Sequence, residues 1–460
     1  MAAGPTGPDP ARPAAQPASS SPARSLWREP DFLKLWGGET TAALGEQVSL
    51  LALPLTAILL LRATPLQVGL LTALGTVPFL LIGLPAGVWL ERARRRPMLI
   101  ASALGRAVVL GSVPLIWALH RLSLPYLDIT ALVMGGLTTL FDIAWQSYLP
   151  GLVGTSRLHE ANARLSTSTS GARLAGPGLA GLLIGALSAP LALVADSLGF
   201  LMTACSIAGI KKGEPPPSGA PGPGKAGEDR PGLRGQILEG LRYVTGHRLL
   251  RWTAAATGSF NAITMALNVA LVLFEARVLH LSAGTIGLVF MVGNVGFVLG
   301  ALAVRPITVR LGMGPTIVLS ALCMASAPAV FPLAHAAVAV PVLVAGWFLR
   351  ALASPVFNTN QVSLRLAITP PRLVARMTAT MKFFVMGAMP LGSLAAGALG
   401  GTIGLRSTLW AIAGFALVPF LAVALTDVRR LRTSPDELRP PAQDRRPEPA
   451  RTDPAVPATA

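Results

Sequence analysis

The chain has 460 residues, of which 52% are apolar and only 13% are charged, and its formal net charge is +17. Soluble proteins carry about 25% charged residues, so this composition excludes a cytosolic enzyme, a disulfide-stapled secreted domain and a largely disordered chain. The apolar residues form long runs, and about 20 consecutive apolar residues cross a bilayer as a helix. The sequence therefore predicts an all-α polytopic membrane protein.

The basic residues do not indicate binding to nucleic acid, because they lie in short segments between the apolar runs. The two cysteines, Cys205 and Cys323, lie inside apolar runs and are too few for a disulfide framework or a metal site. We therefore expect a lipid bilayer as the surrounding partner, and we expect no nucleic acid, no metal ion and no cofactor.

The hydropathy pattern predicts twelve membrane spans in two groups of six. The first group, within residues 37–210, comprises Gly38–Leu61, Val68–Leu90, Met98–Leu119, Leu124–Leu149, Leu165–Leu187 and Leu191–Ile210. The second group, within residues 252–426, comprises Trp252–Leu273, Gly284–Val304, Pro315–Ala334, Val338–Gln361, Arg376–Leu399 and Leu405–Leu425. Residues 211–251 are predicted to form a cytoplasmic loop that ends in an interfacial helix, Leu233–Arg251. Residues 1–36 and 427–460 are predicted to be disordered cytoplasmic tails.

The distribution of lysine and arginine predicts the orientation of the chain in the membrane. One set of loops between the spans holds only Arg62, Arg121, Arg277 and Arg406, whereas almost all other basic residues fall on the opposite side. Cytoplasmic loops are the ones enriched in lysine and arginine. Both termini are therefore predicted to lie in the cytoplasm.

The two groups of spans resemble each other at an offset of about 214 residues. Gln146 in the fourth span corresponds to Gln361 in the tenth, and Pro177 in the fifth corresponds to Pro390 in the eleventh. Internal repeats of this kind are typical of transporters. The pattern predicts two pseudo-symmetric six-helix bundles that face each other across a central cavity.

The loop after the second span carries a conspicuous charged motif, whose residues are Gly87, Glu91, Arg92, Arg95 and Arg96. It resembles the cytoplasmic signature of the major facilitator superfamily, Gly-x-x-x-Asp-Arg-x-Gly-Arg-Arg/Lys, with Glu91 in place of the aspartate and Arg94 in place of the inner glycine. The resemblance implies a conformational latch that holds the outward-facing state and opens in the inward-facing state. The alternative is a plain cluster of cytoplasmic positive charges.

The fifth span contains Gly176, Pro177 and Gly181 in an arrangement similar to the helix-5 motif of antiporters in this superfamily, Gly-Pro-x-x-Gly-Gly. Small residues allow close contact between helices, and a proline allows a bend. The resemblance implies that the protein exports its cargo. The alternative is the ordinary tight packing of a membrane bundle.

The segment from Phe141 to Leu165, and the later run from Arg376 to Gly392, resemble one branch of the superfamily. This branch contains the enterobactin exporter and the macrolide and multidrug efflux proteins of bacteria. Membership would imply a monomeric secondary transporter in the bacterial inner (plasma) membrane. It would export small amphiphilic molecules by proton antiport, with a cavity that opens alternately to each side.

A charge inside a predicted span costs on the order of 2.5 kcal/mol or more, and three of the ionisable residues there share one predicted depth. Glu46, Arg106 and Asp142 are each predicted to lie about 12 Å from the cytoplasmic surface. We predict that Glu46 and Asp142 include the proton-coupling site and that Arg106 tunes their proton affinity. The alternative is a structural ion pair that only satisfies Arg106. Asp196 in the sixth span is assigned to structure.

Polar residues recur at helical spacing in the spans that line the cavity of the superfamily. They are Asn261, Thr264 and Asn268 in the seventh span, Arg350, Asn358 and Gln361 in the tenth, and Gln146 in the fourth. We predict that these residues and Phe260 contact the cargo in a hydrated cavity, and that Arg350 binds an anionic or polar cargo. The alternative is that they form hydrogen bonds between helices.

The sequence contains no Walker loop, no glycine-rich dinucleotide turn and no histidine or cysteine cluster, so we expect no enzymatic activity. The leading hypothesis is proton-coupled export of a drug, an antibiotic or a siderophore-like molecule. A nutrient importer of the same fold and a non-transporting receptor or scaffold are the alternatives. The sequence leaves the cargo and the proton stoichiometry open.

Overall fold

The computed structural model describes residues 26–90, 94–212, 233–426 and 428 of the chain. Within these residues the protein consists of helices and contains no strand. Twelve helices are long and apolar enough to cross a membrane, which confirms the predicted number of spans. The order is the predicted one, with six spanning helices on each side of a shorter connecting helix.

The first bundle contains α1 (Pro30–Leu55), α2 (Pro65–Leu90), α3 (Arg95–Ala118), α4 (Leu124–Val153), α5 (Leu158–Leu187) and α6 (Ala189–Ala208). The connecting helix is α7 (Leu233–Gly246). The second bundle contains α8 (Arg248–Arg277), α9 (Ala283–Leu311), α10 (Met313–Ser326), α11 (Ala339–Ile368), α12 (Val374–Thr402) and α13 (Leu405–Ala424). A π-helical turn (Thr56–Leu60) extends α1, and a 3-10 helix (Ala327–Leu333) extends α10.

Several helices begin earlier than the hydropathy pattern predicts. α1 begins at Pro30 rather than Gly38, and α5 begins at Leu158 rather than Leu165. Their first turns carry polar residues, such as Asp31 and Glu160, which a helix tolerates where it projects beyond the hydrocarbon. The added turns therefore extend the helices beyond the predicted spans.

The predicted helix Leu233–Arg251 is two helices in the structure. α7 ends at Gly246, and His247, with an extended backbone, caps α8 by accepting a hydrogen bond from the Leu250 amide at 3.4 Å. α7 packs on α12 through an ion pair between Glu239 and Arg376. The connecting helix is therefore attached to the second bundle.

The two bundles touch mainly through two helix pairs, α2 with α12 and α5 with α9. α2 and α9 are the second spanning helices of their bundles, and α5 and α12 are the fifth. A two-fold rotation that exchanges the bundles therefore exchanges one contact pair with the other. This arrangement agrees with the predicted pair of pseudo-symmetric bundles.

Because neighbouring helices run antiparallel, the ends of the spanning helices gather at two opposite ends of the molecule. The end that we call the termini end carries the first turn of α1 and the last turns of α4, α6 and α13. At this end the Lys34 ammonium donates to the Gly209 carbonyl at 2.6 Å. The far end carries the opposite turns, and there the Arg406 guanidinium donates to the Ala334 carbonyl at 2.8 Å. Arg277 donates to the carbonyl of Ala63 at the far end and so links the two bundles there.

The bundles meet at the far end through glycines. A Cβ atom placed on Gly69 of α2 would lie 2.6 Å from the Ser393 carbonyl of α12, and one on Gly287 of α9 would lie 2.3 Å from the Pro177 carbonyl of α5. Only a residue without a side chain allows the backbones to approach this closely. The far end is therefore closed, and the space between the bundles opens toward the termini end.

Candidate functional site

The Arg106 side chain lies between two aromatic rings inside the first bundle. Its guanidinium carbon is 4.1 Å from the centre of the Phe141 ring on α4 and 4.3 Å from the centre of the Phe200 ring on α6. The residue is only 6% exposed. Stacking on aromatic faces stabilises a guanidinium that has lost its water.

Four carboxylates surround this guanidinium within electrostatic range: Glu39 and Glu46 on α1, Asp142 on α4 and Asp196 on α6. Arg106 forms no ion pair within 4.0 Å among the described residues. The Arg106 Nε, the Glu39 Oε1 and the Asp196 Oδ1 are buried without a hydrogen-bond partner. The cluster thus contains one cation, four acids and several unsatisfied polar atoms, an arrangement that differs from a fixed structural ion pair.

The structure brings together Glu46, Arg106 and Asp142, as the sequence predicts. Glu46 lies sixteen residues, and Arg106 eleven residues, from the first residue of its own helix. Glu46 and Asp142 are exposed, and Glu46 lines the inner cavity, whereas Arg106 is buried. The proton-coupling role of these residues remains a prediction.

Sequence analysis missed one acid of this cluster, Glu39, and assigned another, Asp196, to structure. Glu39 precedes Glu46 by two helical turns and therefore lies on the same face of α1. This spacing is visible in the sequence and could have placed Glu39 beside Glu46. Asp196, assigned to structure, is 1% exposed and contributes to the field at Arg106. A Cβ atom on Gly45 would lie 2.6 Å from the Asp196 Oδ1, so the glycine makes room for this carboxylate.

Two connected cavities lie between the bundles. The inner cavity, of about 490 Å³, is lined from the first bundle by residues that include Glu46, Gln47 and Arg173, and from the second by residues that include Asn268 and Arg350. The outer cavity, of about 750 Å³, lies toward the termini end. Both are lined by Arg173, Thr264, Phe297 and Ser354. A volume of this size accommodates a drug-sized molecule.

Most of the predicted cavity residues line these two spaces. Thr264, Asn268 and Arg350 line the inner cavity, and Phe260, Asn261, Thr264 and Asn358 line the outer cavity. Phe260 is only 2% exposed, because its ring packs edge-on against Phe357 with a centroid distance of 5.1 Å. Gln146 is exposed but lines neither cavity.

Gln361 is the clearest departure from the predicted set. It is 1% exposed and lines neither cavity; its Nε2 donates to the Thr253 carbonyl at 2.9 Å and to the hydroxyl of Thr257. These bonds join α11 to α8. The structure therefore agrees with the alternative interpretation of Gln361, a hydrogen bond between helices.

We expect Gln361→Leu to lower the free energy of unfolding by about 1–3 kcal/mol, because it leaves the Thr253 carbonyl and the Thr257 hydroxyl without this donor. Asn358→Ala, on the same helix but facing the outer cavity, is expected to leave the melting temperature unchanged. Thermal unfolding of the two purified variants checks this. A melting temperature lowered equally by both substitutions would contradict it.

Sequence analysis also missed the polar wall of the inner cavity. The Trp347 Nε1 donates to the Asn294 Oδ1 at 2.9 Å, and the Asn294 Nδ2 donates to the Arg173 carbonyl at 2.8 Å, which joins α9 to α5. The Arg173 guanidinium faces the Phe297 ring at 5.7 Å. Arg173 follows a run of serines and threonines in α5, and a charged residue in such a polar stretch could have indicated that this helix faces the cavity.

The helix-5 motif forms the contact between α5 and its neighbours. A Cβ atom on Gly176 would lie 2.4 Å from the Gln47 Cβ of α1, and one on Gly181 would lie 2.7 Å from the Ala283 carbonyl of α9. The motif therefore positions one wall of the inner cavity and also closes the far end. Its predicted relation to export remains a prediction.

Part of the predicted latch lies outside the described residues, namely Glu91 and Arg92. Gly87 lies in the last turns of α2, and Arg95 and Arg96 begin α3. Arg96 donates to the Ala208 carbonyl at 2.9 Å, within the first bundle. In the part of the chain that the structure covers, no group of three or more histidine, cysteine, aspartate or glutamate side chains could hold a metal ion.

Comparison with known proteins agrees with this architecture. A family model described as Major Facilitator Superfamily matches residues 35–341 and 264–458. The multidrug efflux pump Tap of Mycolicibacterium fortuitum is 26% identical over 404 residues, which cover 85% of this chain and 94% of that protein.

Solved structures of transporters share the fold. A mutant of the nucleoside transporter NupG matches with a TM-score of 0.70 and 12% identity over 86% of this chain and 99% of that one. A bacterial homologue of the human lysosomal transporter Spinster, in an inward-facing and occupied conformation, matches with a TM-score of 0.68 and 14% identity. The match covers 89% of this chain and 99% of that chain. A bacterial homologue of ferroportin, also inward-facing, matches with a TM-score of 0.67 and 15% identity over 87% and 99%.

The twelve spanning helices, the two bundles around a shared cavity and the family match over most of the chain lead to one conclusion. The protein is a multi-pass membrane transporter, not an enzyme, and it belongs to the Major Facilitator Superfamily.

Proposed function

We propose that this protein exports small amphiphilic molecules in exchange for protons, by alternating access of the central cavity to the two sides of the membrane. The observation that carries the proposal is the cluster of Arg106 with Glu39, Glu46, Asp142 and Asp196, of which Glu46 lines the inner cavity. A cluster with more acids than cations in a membrane interior is a place where protons bind and leave.

The charge balance of the cluster supports a coupling role. Arg106 can neutralise one carboxylate at most, and even with Arg173 near Glu46 and Lys382 near Asp142 the four acids outnumber the cations. The further negative charge is costly in a low-dielectric interior unless protons bind. Lys382 of α12 lies within electrostatic range of Asp142, from the other bundle. Movement of the bundles therefore changes the field at Asp142, which links its proton occupancy to the conformation of the transporter.

The proposed direction of transport and class of cargo rest on three observations. The helix-5 motif resembles that of antiporters, and the relative from M. fortuitum is a multidrug efflux pump. The walls of the inner cavity combine aromatic rings, such as Phe290, Phe297 and Trp347, with polar groups, which suits an amphiphilic molecule. The solved structures of similar fold include a nucleoside transporter, so the fold alone does not fix direction or cargo.

The arginine distribution supports an orientation in which the termini end faces the cytoplasm of a bacterium and the protein lies in its inner membrane. In that orientation the cavity opens to the cytoplasm, where an exporter collects its cargo. We propose that the transporter acts as a monomer, because each chain has its own complete cavity between two bundles.

Proton flux in everted membrane vesicles tests the proposal. We expect addition of an amphiphilic probe, rhodamine 6G or 1-pyrenebutyrate, to dissipate a preformed proton gradient, followed by acridine orange fluorescence. The double variant Glu46→Gln, Asp142→Asn is expected to reduce this flux at least tenfold. Asp128→Asn removes a carboxylate from α4 near the far end, away from the cluster, and is expected to leave the flux unchanged.

The other hypotheses predict different results. An importer would give no probe-dependent dissipation in everted vesicles but probe uptake in whole cells. A scaffold would give neither. A probe-dependent proton flux that survives in the double variant would overturn the assignment of the coupling site.

A further inference from the structure

Arg350 lies in the middle of the second bundle at the wall of the inner cavity. It is eleven residues into α11, about 16 Å along the helix from the far end. The residue is 6% exposed and lines the inner cavity. A guanidinium at this depth in a membrane protein is costly and needs a compensating partner.

The protein supplies only part of that partner. One Arg350 nitrogen, Nη2, donates to the Thr264 hydroxyl, and the other, Nη1, is buried without a hydrogen-bond partner. Among the described residues no carboxylate lies within 4.0 Å of Arg350. Glu46, the acid on the opposite wall of the inner cavity, interacts with Arg106 and Arg173. The charge of Arg350 is therefore left uncompensated by the chain.

The surroundings of Arg350 match one end of an amphiphilic ligand. Asn268 lies one turn along α8 from Thr264 and lines the same cavity, so it adds an amide group beside the guanidinium. Phe290 and Trp347 pack edge to face at a centroid distance of 4.7 Å and form an apolar wall of that cavity. A cationic donor next to an aromatic wall fits an anionic head and an apolar body.

We infer that Arg350 binds an anionic group of the cargo, a carboxylate or a related oxyanion, and that the preferred cargo is an amphiphilic organic anion. This inference rests on the proposed function only in treating the bound anion as a transported cargo. Binding at equilibrium needs no proton gradient, so it is measured independently of transport. Arg350 lines the cavity but its Nη1 is buried, so a small turn of the guanidinium toward a bound anion gives Nη1 the acceptor that the chain does not supply.

Equilibrium binding of two matched probes tests the inference. The probes are 1-pyrenebutyrate, which is anionic, and its uncharged methyl ester, measured by fluorescence anisotropy with the full-length protein in phosphatidylcholine nanodiscs. The buffer contains no carboxylate and only a low concentration of chloride, and the lipid carries no net charge, which limits competition for the site. We expect the wild-type protein to bind the anion at least tenfold more tightly than the ester.

The variants assign this preference to one side chain. Arg350→Gln is expected to weaken binding of 1-pyrenebutyrate at least tenfold and to change binding of the ester less than twofold, whereas Arg350→Lys is expected to keep part of the preference. Arg305→Gln, which removes an exposed arginine that lines neither cavity, serves as the matched control and is expected to change neither affinity.

Two results would overturn the inference: equal affinity of the wild-type protein for anion and ester, or an Arg350→Gln variant that retains the preference. The comparison of anion and ester needs only the wild-type protein, so it tests the inference even if Arg350→Gln does not fold. Failure of the proposed function would appear elsewhere, as absence of probe-dependent proton flux.

Discussion

Substitution of Gly287 by valine is expected to abolish transport and to hold the far end of the molecule open. A Cβ atom at Gly287 would lie 2.3 Å from the Pro177 carbonyl and 2.9 Å from the Gly181 Cα. These are backbone atoms of α5, so the side chain cannot be accommodated by a change of rotamer. The transporter would then be unable to close its far end, and a cycle that alternates between two ends would stop.

Spin-label distances across the far end measure this effect. Labels at Arg121 of the first bundle and Ala336 of the second, with Cys205 and Cys323 replaced by alanine, are expected to move apart in Gly287→Val. Gly185→Val is the matched control, because a Cβ atom at Gly185 of α5 meets nothing within 4 Å. Wild-type transport with an unchanged distance in Gly287→Val would refute the proposed closure.

Arg106→Met is expected to destabilise the protein by about 3–5 kcal/mol, the range found when one partner of a buried charge group is removed. The substitution keeps an unbranched side chain between Phe141 and Phe200 but removes the one cation that lies within range of all four carboxylates. The loss should grow as the pH rises, because ionised acids repel one another and protonated acids do not.

Chemical unfolding between pH 5 and pH 8 provides the measurement. The unfolding free energy of Arg106→Met is expected to fall across this range more steeply than that of the wild-type protein. Arg310→Met, at an exposed position near the termini end, is expected to follow the wild-type curve. A pH-independent loss in Arg106→Met would mean that the guanidinium acts through packing alone.

The number, order and class of the helices followed from the sequence because long apolar runs have few other folded states in a bilayer. The ends did not follow, since hydropathy detects the hydrocarbon and helices continue beyond it, as at Pro30 and Leu158. The division at His247 was also missed, because a capping residue interrupts the helix without interrupting the amphipathic pattern.

The candidate site was predictable where one helix determined it and unpredictable where several helices met. Spacing along α8 placed Asn261, Thr264 and Asn268 correctly on the cavity face. On α11 the same argument failed for Gln361, because a residue three positions from Asn358 is turned by about 60° and there meets α8 instead of the cavity. The place of Asp196 depends on the close approach of α1 and α6 at Gly45, which a single sequence does not reveal.

The glycine contacts at the far end have an energetic consequence. Gly69, Gly181 and Gly287 bring backbone against backbone, so at these positions the helices can part without withdrawing a side chain from a socket. Parting must still release Met291 from Gly178 and Arg277 from the Ala63 carbonyl. In the proposed transport cycle few side-chain contacts therefore oppose the change, which lets a single hydrogen ion or one bound molecule tip the balance.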